Sequence, residues 1–428
     1  MLLQQQVLPP MAPRSRFAIA TALGLAACCA IAPCHAEESI APAVPFYKLS
    51  GFATAALSWS DSGDAYYTSS VLKGSGAGAT ARLSANVDSR LGLQLDLNLA
   101  AQWSAVLQVI SEQRLDKNYR PTVEWANVKY QATPELALRA GRIALPMFLA
   151  ADYRKIGYAY PWVRTPVEVY GAIAVTSSDG VDATYRWRAG EVKNLTQVFY
   201  GRNNVDLPTA GRIEARKVAG FAHTAEMGPA SARLSVLSTE LTVDIIPTFF
   251  AGLRQFGAPG MALANRYESK QKHASAVSLG LNYDPGAWFV MAESGRMRTN
   301  SFLGDSTSLY AGGGLRHGAL TPFATYARVR ADSPTTSPGL PLANLPPAAA
   351  AAGAALNGYL GWLLTTAPEQ HTVSAGLRWD FAPSMALTGQ FDRVSPDGVS
   401  RGTFINVQPG FKSGRSINIT SVALNVVF

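Results

Sequence analysis

Side chains suited to nucleophilic or acid–base chemistry are sparse in this 428-residue chain: beyond residue 36 the only histidines are His223, His273, His317 and His371. A serine beside one of them would suffice for a wall-mounted hydrolase, and serines are plentiful. The four histidines fall on different predicted strands or turns, however, so no pair is singled out. Gly74-Ser75-Gly76-Ala77-Gly78 lacks the Lys-Ser or Lys-Thr of a phosphate loop. Asp61-Ser62-Gly63-Asp64 lacks the further acidic ligands of a calcium site. The expectation is therefore no catalytic residue, no cofactor and no metal.

The N-terminus sets the compartment. Arg14 and Arg16 precede an apolar run from Phe17 to Ala32, and Cys34-His35-Ala36 precede acidic Glu37 and Glu38. This is the layout of a secretory signal peptide, residues 1–36, cut after Ala36. Leu25-Ala26-Ala27-Cys28 also resembles a lipobox, which would instead put a lipid on Cys28. Cys28, Cys29 and Cys34 all lie before the favoured cut, so residues 37–428 carry no thiol, disulfide or thiolate metal site. Without Arg14 and Arg16 the 37 basic residues become 35, against 29 acidic ones, a net charge of +6. That mild excess does not call for nucleic acid. No apolar run after the signal reaches about 18 residues, so any membrane span must be made of strands.

Alternation supplies those strands. Leu91, Leu93, Leu95, Leu97 and Leu99 interleave with Gly92, Gln94, Asp96 and Asn98, a segregation that a period of two allows and a helix does not. The same reading gives strands near 47–59, 90–99, 103–114, 122–132, 136–144, 180–188, 192–202, 216–227, 231–242, 273–284, 287–298, 307–317, 320–331, 371–381, 385–394 and 416–428. Sixteen strands leave roughly 24 residues for each strand and its connection, enough for a span of about 9 to 11 residues and a loop. Tight connections such as Thr133-Pro134-Glu135, Gly228-Pro229-Ala230 and Pro285-Gly286 alternate with long stretches at 61–79, 145–179, 203–215, 243–272, 332–370 and 395–415. Trp103, Trp187, Trp288 and Trp379 map to strand ends at the tight connections, Trp59 and Trp125 to the opposite ends, as an aromatic girdle requires. Ile417 to Phe428 (INITSVALNVVF) is a final strand, with Val422, Leu424, Val426 and Phe428 on one face.

Signal peptide, alternation, strand number, loop rhythm and terminal Phe428 together resemble a Gram-negative, proteobacterial outer-membrane porin of general or substrate-specific type. The resemblance covers the whole of residues 37–428 and is architectural; the Pro-Glu-Phe-Gly type sequence of many constriction loops is missing. It implies an all-β transmembrane antiparallel barrel of about 16 strands with short periplasmic turns and long extracellular loops. It also implies passive diffusion of small hydrophilic solutes, a homotrimer, contact with outer-membrane lipid and lipopolysaccharide, and Phe428 as the signal read by the barrel-assembly machinery. Porins of this type fold their third outer loop into the lumen, and the corresponding segment, 145–179, would narrow the pore, with Asp152, Arg154, Lys155, Arg164 and Glu168 at the constriction.

Strand parity assigns the other charges, because a charge facing lipid at mid-membrane costs about 2 to 4 kcal/mol. Lys48, Arg90, Arg139, Arg186, Arg188, Arg233, Arg316 and Arg378, with Asp96, Asp182, Asp380 and Asp392, fall on the lumen side. Where arginine dominates, the field favours anions. The competing expectation is mutual pairing across strands, such as Arg378 with Asp392. Residues 341–364 could form a short helix at the mouth or a flexible loop, and Arg266, Lys270 and Lys272 either meet lipopolysaccharide phosphates or stay solvated. An adhesive or structural barrel with a blocked lumen is the main alternative function.

Overall fold

A computed structural model describes residues 45–428 apart from 172, 174 and 208–210. The signal-peptide segment 1–36 and Cys28 lie outside the described residues. From Tyr47 the chain forms one unit, a closed antiparallel barrel of sixteen long strands. In chain order these are β1 (Tyr47–Ser60), β2 (Arg90–Ala100), β3 (Trp103–Glu112), β4 (Thr122–Gln131), β5 (Leu136–Ala144), β6 (Ser177–Ala189), β7 (Val192–Asp206) and β8 (Arg212–Met227). The second half comprises β9 (Ala230–Asp244), β10 (Lys272–Tyr283), β11 (Trp288–Arg298), β12 (Ser306–Leu315), β13 (Leu320–Ala331), β14 (Gln370–Ala382), β15 (Met385–Pro396) and β16 (Ile417–Val427). Each pairs with its neighbours, and β16 returns to β1 along Phe52↔Val427 through Ser60↔Ile419. All sixteen predicted strands are present.

Closure removes the edge that an open sheet would expose, and parity then sorts the side chains. On β1, Leu49, Leu57 and Trp59 are exposed on the outer surface while Thr54, Ser58 and Ser60 are buried toward the lumen. Leu91, Leu93 and Leu99 of β2 face outward as their alternation predicts. Trp59, Trp103, Trp187, Trp288 and Trp379 are outward and exposed. Trp125 is not among them, because a register shift at Gln108/Val109 pairs it with Gln108, a buried lumen-side residue.

The seam depends on a missing side chain. The Gly51 amide donates to the Phe428 carbonyl (2.8 Å) and the Phe428 amide donates to the Gly51 carbonyl (3.0 Å). A Cβ on Gly51 would lie 2.4 Å from the Phe428 ring. Gly51→Val is therefore expected to lower barrel stability by about 1 to 3 kcal/mol, seen as a smaller fraction of heat-modifiable folded protein on gels. Ala53→Val, one outward position along, is the control, and equal yields from the two variants would refute the seat.

Seven short turns occupy one end and eight longer connections the other. The longer ones fold on themselves. In loops 245–271 and 332–369, helices α2 (Pro247–Arg254), α3 (Gly257–Tyr267) and α4 (Pro347–Leu364) share an apolar core of Phe249, Phe250, Leu253, Leu360, Leu363 and Leu364. Pro346 and Pro347 open α4, where a missing amide costs nothing. Loop 61–89 packs on loop 397–416 through Tyr67, Val87 and Phe404, with a backbone bridge Tyr66↔Ile405. The 145–176 loop, carrying the single-turn helix α1 (Val167–Tyr170), enters the barrel and is the element around which the lumen is organised.

Candidate functional site: the lumen and its inserted loop

The inserted loop fills one side of the lumen with an apolar core. Its Phe148, Tyr160, Trp162, Val169 and Tyr170 bury against lumen-facing Phe199, Val218, Leu237, Phe289, Tyr310 and Phe323 of β7, β8, β9, β11, β12 and β13. Leu149 seats over Gly280, where any Cβ would meet its side chain at 2.5 Å. Trp162 meets Tyr310 and Phe323 edge-on at 6.2 Å, the geometry ring quadrupoles favour. The tyrosines and paired prolines of this segment thus serve as packing and rigid corners.

Polar fastenings surround that core. Arg164, 4% exposed, donates from Nε and Nη2 to Asp88 (Nη2 2.7 Å), from Nη1 to Asp392 (2.7 Å), and from Nη2 to Ser421 (2.6 Å) and Ser58 (3.1 Å). Two carboxylates around one guanidinium hold its proton well above the ordinary range against the pull of burial. Glu168 accepts hydrogen bonds from Gln370 Nε2 (2.6 Å) and the Thr372 hydroxyl; burial raises its carboxyl pKa, partly offset by those two donors. Arg154 donates to the carbonyls of Ile173 (2.8 Å) and Tyr170. Lys155 pairs with Glu112, and Asp152 sits 3.5 Å from Arg233. Glu293 of β11 accepts from the Leu149 amide (2.7 Å), Tyr310 hydroxyl (2.9 Å) and Tyr170 hydroxyl.

The five loop residues expected at the constriction are thus distributed unevenly. Arg164 and Glu168 spend their polar groups on the wall and hold the loop to it, while Arg154 bonds carbonyls of the loop itself. Lys155 and Asp152 keep part of their side chains exposed. Arg378 donates to the Tyr158 (2.7 Å) and Tyr160 (2.9 Å) carbonyls and pairs with Asp380 (2.8 Å). The expected pair of Arg378 with Asp392 does not form, because Asp392 goes to Arg164 and the residue opposite Arg378 is Thr388. Arg90 lies 3.8 Å from Asp88, and Arg316 pairs with Asp284 (2.6 Å) near the short-turn end.

A second group of charges lies on β1, β2 and β4 to β6, toward the short-turn end. Lys48 stands opposite Asp96, which accepts from Gln94 at 3.0 Å. Arg139 faces Asp182 across β5 and β6 (2.7 Å), and Gln197 also donates to Asp182 (3.1 Å). Lys129, opposite Arg139 in register, lies within electrostatic reach of Arg139 and Arg186. Neither Lys129 nor Arg186 has a carboxylate within ion-pair distance among the described residues, and Arg188, beside Lys193, is exposed. Sequence reasoning passed over Lys129, Glu112 and Glu293 although each has the lumen-facing parity. Asp88 and Lys73 lie in loop 61–89, where parity gives no signal.

Lys73 is buried, 3.6 Å from Glu112 and 3.4 Å from the Asn86 carbonyl. Burial pushes its ammonium down to about 8, with Arg90 and Lys155 adding to the effect and Glu112 and Asp88 opposing it. The unfolded chain, with an ordinary value of 10.5, holds the proton across the interval between, so stability rises with pH from about 8 to 10.5. Thermal unfolding midpoints should climb across that window in the wild-type protein. Lys73→Met should flatten the climb, and an unchanged slope would refute the assignment.

Hydroxyl–imidazole contacts do occur, in separate places. Ser238 Oγ lies 3.1 Å from His273 Nε2 and Thr196 Oγ1 lies 3.0 Å from His223 Nδ1, while His371 Nδ1 meets the Asp397 carboxylate at 3.1 Å. Glu240 stands opposite His273 and Ser395 opposite His371 in register, but neither histidine is hydrogen-bonded to both a serine and a carboxylate among the described residues.

No protein-family model and no curated protein matches the chain. Solved structures do. The chain is similar to an anion-selective porin from Comamonas acidovorans, with TM-score 0.52, 14% identity, and 89% of this chain and 99% of that chain covered. It is similar to the outer membrane channel DcaP of Acinetobacter baumannii, with TM-score 0.51, 12% identity, and 89% and 97% covered. OmpF of Salmonella typhi in complex with daunomycin gives TM-score 0.50, 11% identity, and 89% and 97% covered. What is shared at these identities is the sixteen-strand barrel.

Proposed function

We propose that this chain is an outer-membrane porin: a water-filled channel for passive diffusion of small hydrophilic solutes, leaning toward anions. The observation that carries the reading is a polar lane along β2 to β6 in which Arg90, Lys129, Arg139, Arg186 and Arg188 outnumber Asp96, Glu112 and Asp182. Barrels of this strand number leave room for water, and a one-sided excess of guanidinium and ammonium groups lowers the barrier for anions. Diffusion of this kind needs no covalent chemistry and no cofactor.

The long-loop end faces outward and the short turns face the periplasm, after export through a cleaved signal peptide. Phe428 with its alternating strand is the assembly signal, and three copies make the working unit. Single-channel recording of the refolded protein in a planar bilayer, with a reversal potential under a salt gradient, tests the reading. Steps in threes with an anion-leaning potential are expected; cation preference would overturn the selectivity. A silent, correctly folded barrel would favour the second reading, a blocked lumen serving adhesion, which the apolar core under the inserted loop supports.

A further inference from the structure

The outer surface of the barrel changes character abruptly on one side. On β12 to β15 the outward positions Leu309, Tyr326, Val373 and Phe391 are exposed apolar side chains. Toward the long-loop end, outward parity on β11, β13 and β15 brings five arginines, Arg296, Arg298, Arg328, Arg330 and Arg393, all exposed. Register ties the row together. Arg296 and Arg330 both stand opposite Thr307, Leu309 stands opposite Arg328, and Val373 stands opposite Arg393. With strands about 4.8 Å apart, Arg296 and Arg330 lie about 10 Å from each other at the backbone.

These arginines are short of counter-charge. Asp332 serves both Arg296 (3.5 Å) and Arg330 (3.3 Å), while Arg298, Arg328 and Arg393 make no ion pair among the described residues. The barrel's other flank carries more countercharge, with three carboxylates for its outward cations: Asp179 binds Arg142 (2.6 Å) and stands opposite Arg202, Glu240 binds Lys217 (2.6 Å) and Glu214 binds Arg216 (3.2 Å). Five guanidinium groups against one shared carboxylate, directly above an apolar wall, call for an external anion. A guanidinium fork fits phosphate bidentately, and basic residues beside an anionic membrane surface are attracted to it.

We propose that this arginine row docks the phosphates of an anionic glycolipid in the outer leaflet, whose acyl chains run down the Leu309, Tyr326, Val373 and Phe391 face. The inference rests on the membrane orientation given above. It replaces Arg266, Lys270 and Lys272 as the phosphate contact. Arg266 stacks on Tyr267 at 5.3 Å, and Lys272 donates to the Asn265 carbonyl at 2.6 Å.

The test uses the full refolded barrel in detergent micelles doped with a diphosphorylated glucosamine-disaccharide lipid, its monophosphorylated form, or phosphatidylethanolamine, with retention read by native mass spectrometry. The diphosphorylated lipid should be retained at least ten-fold over phosphatidylethanolamine, with the monophosphorylated form between. The triple variant Arg328→Gln, Arg330→Gln, Arg393→Gln should lose that preference, whereas Arg142→Gln with Arg216→Gln should keep it. Inorganic pyrophosphate added in excess should not displace the lipid; displacement would mean a free-phosphate site and overturn the lipid assignment, as would retention unaltered by the triple variant. Conductance of the same samples is recorded in parallel. A non-conducting barrel that still selects the diphosphorylated lipid would count against the channel alone, and a conducting barrel without lipid preference against the arginine row alone.

Discussion

Reversing two lumen cations, Lys129→Glu with Arg186→Glu, should turn an anion-leaning channel into a cation-leaning one. Neither residue has a carboxylate partner among the described residues, so the substitutions remove no ion pair there and place four units of charge difference along the proposed solute path. At the dielectric of a wet pore wall, a unit charge a few ångströms from a passing ion is worth about 1 to 4 kcal/mol. Screening by salt reduces this, leaving a change of roughly ten-fold in the anion-to-cation permeability ratio, checked by the sign of the reversal potential. Arg154→Gln should leave the ratio nearly unchanged, because its guanidinium is turned into the loop and bonded to the Ile173 and Tyr170 carbonyls. If Arg154 rather than Lys129 and Arg186 controlled the sign, the polar lane would not be the conduction path.

Arg164→Met should have the largest structural effect. The change deletes a buried cation, leaving buried Asp392 with no ion pair among the described residues and buried Asp88 with only Arg90, 3.8 Å away. Breaking a buried pair from one side costs about 3 to 5 kcal/mol, and here the cost falls on the contact that joins the inserted loop to β15 and to loop 61–89. The expected result is a lower unfolding midpoint together with noisy, subconductance-rich channel records as the loop leaves the wall. Adding Asp88→Asn and Asp392→Asn should restore much of the stability, since the stranded charges are then gone. A quiet, fully stable Arg164→Met channel would show that the apolar core of Trp162, Val169 and Tyr170 suffices to hold the loop.

The barrel is legible in the sequence because its signal is local: Leu91 to Leu99 declare their face within nine residues. Strand ends are less so. β8 begins at Arg212 rather than near 216, since Arg212, Glu214 and Arg216 all point outward above the apolar band and carry no hydrophobic alternation. The 113–121 and 299–305 connections are likewise too short to stand out beside the 145–176 loop. The wall was readable by parity, and the loop's partners were not. Arg164 meets Asp392 across 228 positions and Asp88 across 76, contacts that only closure of the barrel creates. Charge at 152–168 therefore suggested solute contact where half of it holds the loop in place.

Helix α4 bears on how such a chain reaches its destination. It has eighteen residues and no charged side chain, yet no helix among the described residues is long and apolar enough to cross a membrane. Asn357 and the glycines 353, 358 and 361 keep it below that threshold, and Asn357 meanwhile binds the Leu340 amide (2.6 Å) and carbonyl (3.0 Å). A secreted strand protein must pass the inner-membrane translocon without being released sideways into lipid, and apolar side chains at the centre of a segment promote that release. Gly358→Leu with Gly361→Leu, where an added Cβ meets nothing, should leave the folded mouth intact once formed but trap part of the newly made protein in the inner membrane during export.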